Sequence, residues 1–150
     1  MPGPGWALVL DGATKRADVD SGCVHGAGWL VRTLAGQLAE RLAAEFGEPL
    51  PDLLAEAIKA TCDAHASTCD LTNPDSPSAT VVMLRRHAGR LDWLVLADSP
   101  LVLDLDGAVR AVIDDRSAHL PSYATIVIWG SCLTWQVSGL GISPPCKASR

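Results

Sequence analysis

No acidic residue follows Asp115 in this 150-residue chain, and from Pro121 to Arg150 the only charges are Lys147 and Arg150. Carboxylate chemistry is thereby confined to residues 1–115. Lys and Arg are also in short supply, 12 against 17 Asp and Glu, and the net charge of -5 supplies no basic field to draw nucleic acid or an acidic membrane surface. No apolar run approaches the about 18 residues of a membrane span. The start, Met1-Pro2-Gly3-Pro4-Gly5, lacks positive charge, and the apolar run after it stops at Leu10, unlike a secretory leader. Five cysteines, an odd number at irregular spacing without a leader, read as reduced thiols in a cytoplasm. There is no P-loop, no G-x-G-x-x-G, no G-x-S-x-G elbow around Ser99 and no internal repeat.

What is present suits one domain. The chain is 48% hydrophobic and 19% charged, enough apolar content for a packed core and against disorder. Trp6–Leu10 reads as a short buried strand closed by Asp11-Gly12, and 13–27 as a polar loop. Leu30 or Val31, Leu34, Leu38 and Leu42 recur at helical spacing, predicting a helix over 28–46 that ends at Gly47, with an Arg41–Glu45 pair. Asp52 is expected to cap a second helix with Leu53, Leu54, Ala57, Ile58 and Thr61 on its apolar face, fraying near Thr68. The turn-rich run 70–77 follows. Strands are then expected over 79–84, 91–97, 101–105 and 108–113, with a turn at 87–90 and a hairpin turn at Asp106-Gly107. The expected class is α+β, an antiparallel meander with two adjacent helices. A boundary is expected near Arg116: 1–116 forms the domain, and 117–150 is a divergent tail, frame-shifted or poorly ordered, with one strand expected over 123–129.

Three motifs carry the chemistry. Val9-Leu10-Asp11-Gly12 ends one apolar run, Ser78-Ala79-Thr80 opens another, and Leu96-Ala97-Asp98-Ser99 ends a third. Carboxylates beside Gly or Ser at strand ends can present oxygens to a hard cation. In this order the motifs resemble those of the metal-dependent protein phosphatases, the protein phosphatase 2C-like family, especially its divergent bacterial members. That family carries DGxGG, an SGxTA-like motif and GDSR followed by a hairpin. The resemblance spans about 6–115. It implies a partial version of the α-β-β-α sandwich, and hydrolysis of phosphoserine or phosphothreonine by water activated on Mg²⁺ or Mn²⁺. Carried over, Asp11 is the bridging carboxylate, the Gly12 carbonyl a further metal ligand, and Asp98 a ligand to an additional ion.

The departures are as informative. The later glycines of DGxGG are missing from Ala13-Thr14, Pro100 stands for the arginine of GDSR, and no acidic residue follows Asp115 to supply the family's two later aspartates. An acidic ligand and a phosphate-binding arginine upstream of Asp11 are also missing. Weak metal binding and little or no turnover are therefore expected, with a non-catalytic regulatory or interaction module on the same scaffold as the alternative. The implied partner is a phosphoprotein or a regulatory protein, with no nucleic acid and no membrane. Open sheet edges would favour self-association.

Other readings stay open beside these. Asp11 and Asp98-Ser99-Pro100 could be plain turn residues, and Asp18 and Asp20 solvated charges near Asp11. Cys62, His65 and Cys69 fall on one face of the second helix if it continues, which suits zinc with Cys23 or His25 added, or else simple packing. Cys23 with His25 lacks an orienting third residue for nucleophilic work. Arg85, Arg86 and Arg90 around His87 read as a solvated turn, with phosphate binding as the alternative.

Overall fold

The computed structural model describes residues 2–3, 5–13, 18–44, 47–87 and 89–115. The tail expected over 117–150, with its strand at 123–129, lies outside the described residues. The elements run β1 (Pro2–Gly3), β2 (Trp6–Ala13), α1 (Ala27–Ala44), α2 (Leu50–His65), β3 (Ser78–His87), β4 (Arg90–Leu96), β5 (Leu101–Leu105) and β6 (Ala108–Val112). An antiparallel sheet has the order β1-β2-β3-β4, and β5-β6 form a separate hairpin. This is the expected α+β class.

One face of the large sheet carries the two helices. Leu30, Leu34, Leu38 and Leu42, spaced four apart on α1, are at most 1% exposed. They share a core with Leu53, Leu54, Ala57 and Ile58 of α2 and with Leu8, Ala79, Val81, Met83 and Leu96 of the sheet. Full burial of each leucine side chain contributes about 1.5–3 kcal/mol. The polar Thr61 is tolerated inside because its hydroxyl donates to the Ala57 carbonyl at 2.7 Å.

Several local details differ from the sequence reading. β2 does not stop at Leu10; it continues to Ala13, because 11–13 find partners in 78–80 of β3. α2 begins at Leu50, two residues before Asp52. Pro49 occupies the cap position without a side-chain bond, and Pro51 sits in the first turn, where a missing N–H costs nothing. Asp52 is therefore a first-turn residue and not the cap. Gly47 lies beyond α1 and has no left-handed φ; residues 45–46, where the helix was expected to end, lie outside the described residues. Glu45 lies outside the described residues; Arg41 bonds the Gln37 side chain at 2.7 Å and faces Glu56 of α2 at 3.8 Å. The Asp106-Gly107 turn forms as expected, with φ of 54° and 83° matching a hairpin turn of the primed kind.

Arg85 is not part of a solvated turn. β3 extends to His87, so Arg85 stays on the helix-facing side, 4% exposed, with its guanidinium 3.0 Å from Asp92 of β4. Arg86, His87 and Arg90 are exposed. Among the described residues, no helix is long and apolar enough to cross a membrane.

Candidate metal sites

Alternation along β2 decides what the first motif can do. Leu8 packs into the helix–sheet core, and a Cβ at Gly12 would stand 2.9 Å from the Val31 side chain and 3.1 Å from Ala27 Cβ. Positions 8, 10 and 12 thus face the helices. Asp11 points to the other face and is exposed. Its cross-strand partner is Thr80, whose hydroxyl lies 2.6 Å from the Ser99 hydroxyl. Ser99 follows Asp98, so all three sequence motifs meet at one end of the sheet. Asp98 itself is exposed. The chain kinks just before it, with Ala97 at φ 67° and its N–H donated to the Asp114 carboxylate at 3.1 Å.

Asp114 was not legible as part of this end. It is buried, whereas its neighbour Asp115 is exposed, and nothing in the local pattern separates the two. Asp18 and Asp20 are exposed loop residues. Asp20 acts locally: its carboxylate accepts the Gly22 N–H at 2.9 Å.

A family model described as protein phosphatase 2C matches residues 3–128. The chain belongs to the protein phosphatase 2C family. No curated protein and no solved structure matches it. Phosphatase 2C enzymes work with Mg²⁺ or Mn²⁺, so the donors at the sheet end bear directly on what this member can hold. Asp11 and Asp98, which with the Gly12 carbonyl are the ligands that the motifs imply, are both exposed at this end. They do not make a two-metal centre: among the described residues, no cluster of three or more acidic, His or Cys side chains gathers at this end.

Such a cluster does form elsewhere in this phosphatase 2C domain. Cys23, His25, His65 and Cys69 bring one ligand atom each to within 4.8 Å of one another. Cys62 is not among them, and its packing alternative holds. Cys62 lies a turn earlier on α2, about 4.5 Å along the axis, and packs against the core. Cys69 does not extend the helix face either, because α2 ends at His65. Cys23 and Cys69 come together as a disulfide and as an isolated antiparallel bridge, which corrects the expectation that all five cysteines are reduced thiols. His65 Nε2 lies 2.9 Å from Cys23 Sγ, and His25 Nδ1 lies 3.5 Å from Cys69 Sγ. The Trp29 ring stacks on both imidazoles, with centroids at 4.1 Å from His25 and 4.6 Å from His65. Burial, and then the neighbouring His25, push the His65 pKa down, which favours the neutral imidazole.

Two polar loops hold the cluster. Asp70 N–H donates to the Gly22 carbonyl at 2.8 Å, and the Asn73 amide donates to the Asp20 carbonyl at 3.1 Å. The Ser76 hydroxyl donates to the Asp70 carbonyl at 3.1 Å and approaches the Ser21 carbonyl at 3.3 Å. Gly22 has φ +63°, and a Cβ there would meet the Asn73 side chain at 2.8 Å.

Cys62 offers a check of its environment. Desolvation, then the nearby Asp63 charge, raise its thiol pKa. A raised pKa leaves less thiolate at any given pH. Its iodoacetamide labelling at neutral pH is expected to be slower than that of a free peptide thiol, and to accelerate only above the usual cysteine range. Peptide-resolved mass spectrometry across pH reads this; labelling at the free-thiol rate would contradict it.

Proposed function

We propose that this chain is a cytoplasmic phosphatase 2C domain with a reduced cation site and little phosphomonoesterase turnover. The observation that carries this reading is the convergence of Asp11, Thr80 and Ser99 at one sheet end, where among the described residues no cluster of three or more acidic, His or Cys side chains gathers. Asp11, the Gly12 carbonyl and Asp98 would hold a single Mg²⁺ or Mn²⁺ weakly. When bound, such an ion lowers the pKa of its water and screens phosphoryl oxygens. The substrate class is a phosphoserine or phosphothreonine of a partner protein.

A second reading, a non-catalytic interaction module on the same scaffold, is favoured by the sheet face that Asp11 shares. Val9 and Trp93, which project from that face, are 59% and 47% exposed. Apolar exposure of this kind suits contact with a regulatory protein or self-association.

Manganese separates the two. With Mn²⁺, the purified protein is expected to hydrolyse an aryl phosphate slowly and to gain a small rise in unfolding temperature, and Asp11→Asn is expected to abolish both. No rate above a metal blank, together with no thermal shift, leaves the interaction module.

A further inference from the structure

We propose that Cys23, His25, His65 and Cys69 form a four-coordinate structural site for Zn²⁺ that fastens the start of α1 to the end of α2. The site is separate from the cation chemistry of the family: its donors are sulfur and imidazole, not carboxylate oxygen. Thiolate and neutral imidazole in a Cys₂His₂ set suit Zn²⁺.

The positions of the four donor atoms suit a metal once the bond between the two sulfurs is reduced. Around a tetrahedral Zn²⁺, neighbouring ligand atoms lie about 3.3–3.8 Å apart, given metal–ligand lengths of about 2.0–2.3 Å. All four atoms here already fall within 4.8 Å of one another, and each sulfur has an imidazole nitrogen turned to it at 2.9 or 3.5 Å. A disulfide gives no reason for an imidazole against each of its sulfurs. A shared cation accounts for all four groups. The Cys23–Cys69 disulfide and the metal are alternatives: a thiol reductant supplies the two electrons and two protons that open the S–S bond and is itself oxidised to a disulfide, after which Zn²⁺ displaces the two thiol protons, forms two Zn–S and two Zn–N bonds, and leaves no open position.

The surroundings are built for a fixed site. Cys23 and His25 come from the loop that ends at Ala27, the first residue of α1, and His65 is the last residue of α2. Trp29, in the first turn of α1, covers both imidazoles. The bonds between 20–22 and 70–76 set the two loops side by side before any metal arrives. With all four positions taken, the ion is structural and not catalytic.

Protein prepared under reducing conditions with Zn²⁺ supplied is expected to carry one Zn²⁺ per chain by mass spectrometric metal analysis. Replacement by Co²⁺ is expected to give the intense visible bands of a tetrahedral ion and a thiolate charge-transfer band. The double variant Cys23→Ser/Cys69→Ser is expected to lose both metal and bands, while Cys62→Ser keeps both. X-ray absorption on the unaltered zinc protein, which does not depend on any variant folding, is expected to show two sulfur and two nitrogen neighbours. A metal-free reduced protein, an oxygen-rich first shell, or zinc retained in the double variant would overturn the proposal. None of these readings depends on phosphatase turnover.

Discussion

Shortening Leu38 to alanine is expected to lower the unfolding free energy by about 2–5 kcal/mol. Leu38 is 0% exposed and lies at the middle of the α1 stripe, in the core shared with α2 and β3. Deleting its branched end removes apolar area from burial and leaves a cavity that close-packed neighbours fill only in part. Glu40, two residues on, is exposed, and Glu40→Ala should change stability by no more than about 0.5 kcal/mol. Urea unfolding of the two variants gives the comparison directly. A Leu38→Ala loss as small as the Glu40→Ala one would mean that α1 does not pack on the sheet as described.

Gly12→Val is expected to cost about 1–3 kcal/mol through overpacking. The first added carbon would sit 2.9 Å from Val31 Cγ2, 3.1 Å from Ala27 Cβ and 3.4 Å from the Ala27 carbonyl oxygen. Val31 cannot easily turn aside, because a β-branched side chain in a helix has one strongly preferred rotamer. The Ala27 Cβ and carbonyl oxygen are both fixed by the helix backbone, so relief requires α1 to move away from β2. Ala27 follows His25 by two residues, and the same shift is expected to disturb the Cys/His cluster and lower its metal content. Gly36 gives the contrast: it lies within α1 with open space around its Cβ position, and Gly36→Ala should stabilise by about 0.4–1 kcal/mol. Thermal and urea unfolding of both variants, with metal analysis of the first, tests this. A Gly12→Val protein as stable as its parent would contradict the close approach of β2 and α1.

The helices and hairpins were legible because local rules set them. A leucine every fourth residue leaves α1 one face to bury, and Asp106-Gly107 is a turn pair that needs positive φ at both positions. The ends of β2 and β3 were less legible, since neighbouring strands decide how far each continues. Asp11-Gly12 looks like a turn in isolation and becomes strand because 78–80 pair with 11–13. The same pairing explains why Ser78-Ala79-Thr80 belongs with the first motif. Arg85 was hidden by its arginine neighbours, although strand alternation through Val81 and Met83 points it inward.

The Cys/His cluster shows the limit of spacing arguments. His65 and Cys69 were readable as neighbours, but helix periodicity also drew in Cys62, which the end of α2 excludes. Cys23 and His65 lie 42 residues apart, and their meeting depends on the antiparallel packing of α1 and α2. Local loop chemistry holds the rest: Asp20, Gly22, Asn73 and Ser76 are common turn residues whose mutual bonds appear only once the loops adjoin.

Titration with Mn²⁺ followed by electron paramagnetic resonance tests the central claim, a phosphatase 2C scaffold with one weak cation position at Asp11. The expected result is weak binding of a single ion, lost in Asp11→Asn and retained in Cys23→Ser/Cys69→Ser. Tight binding of two ions, or binding indifferent to Asp11→Asn, would contradict it.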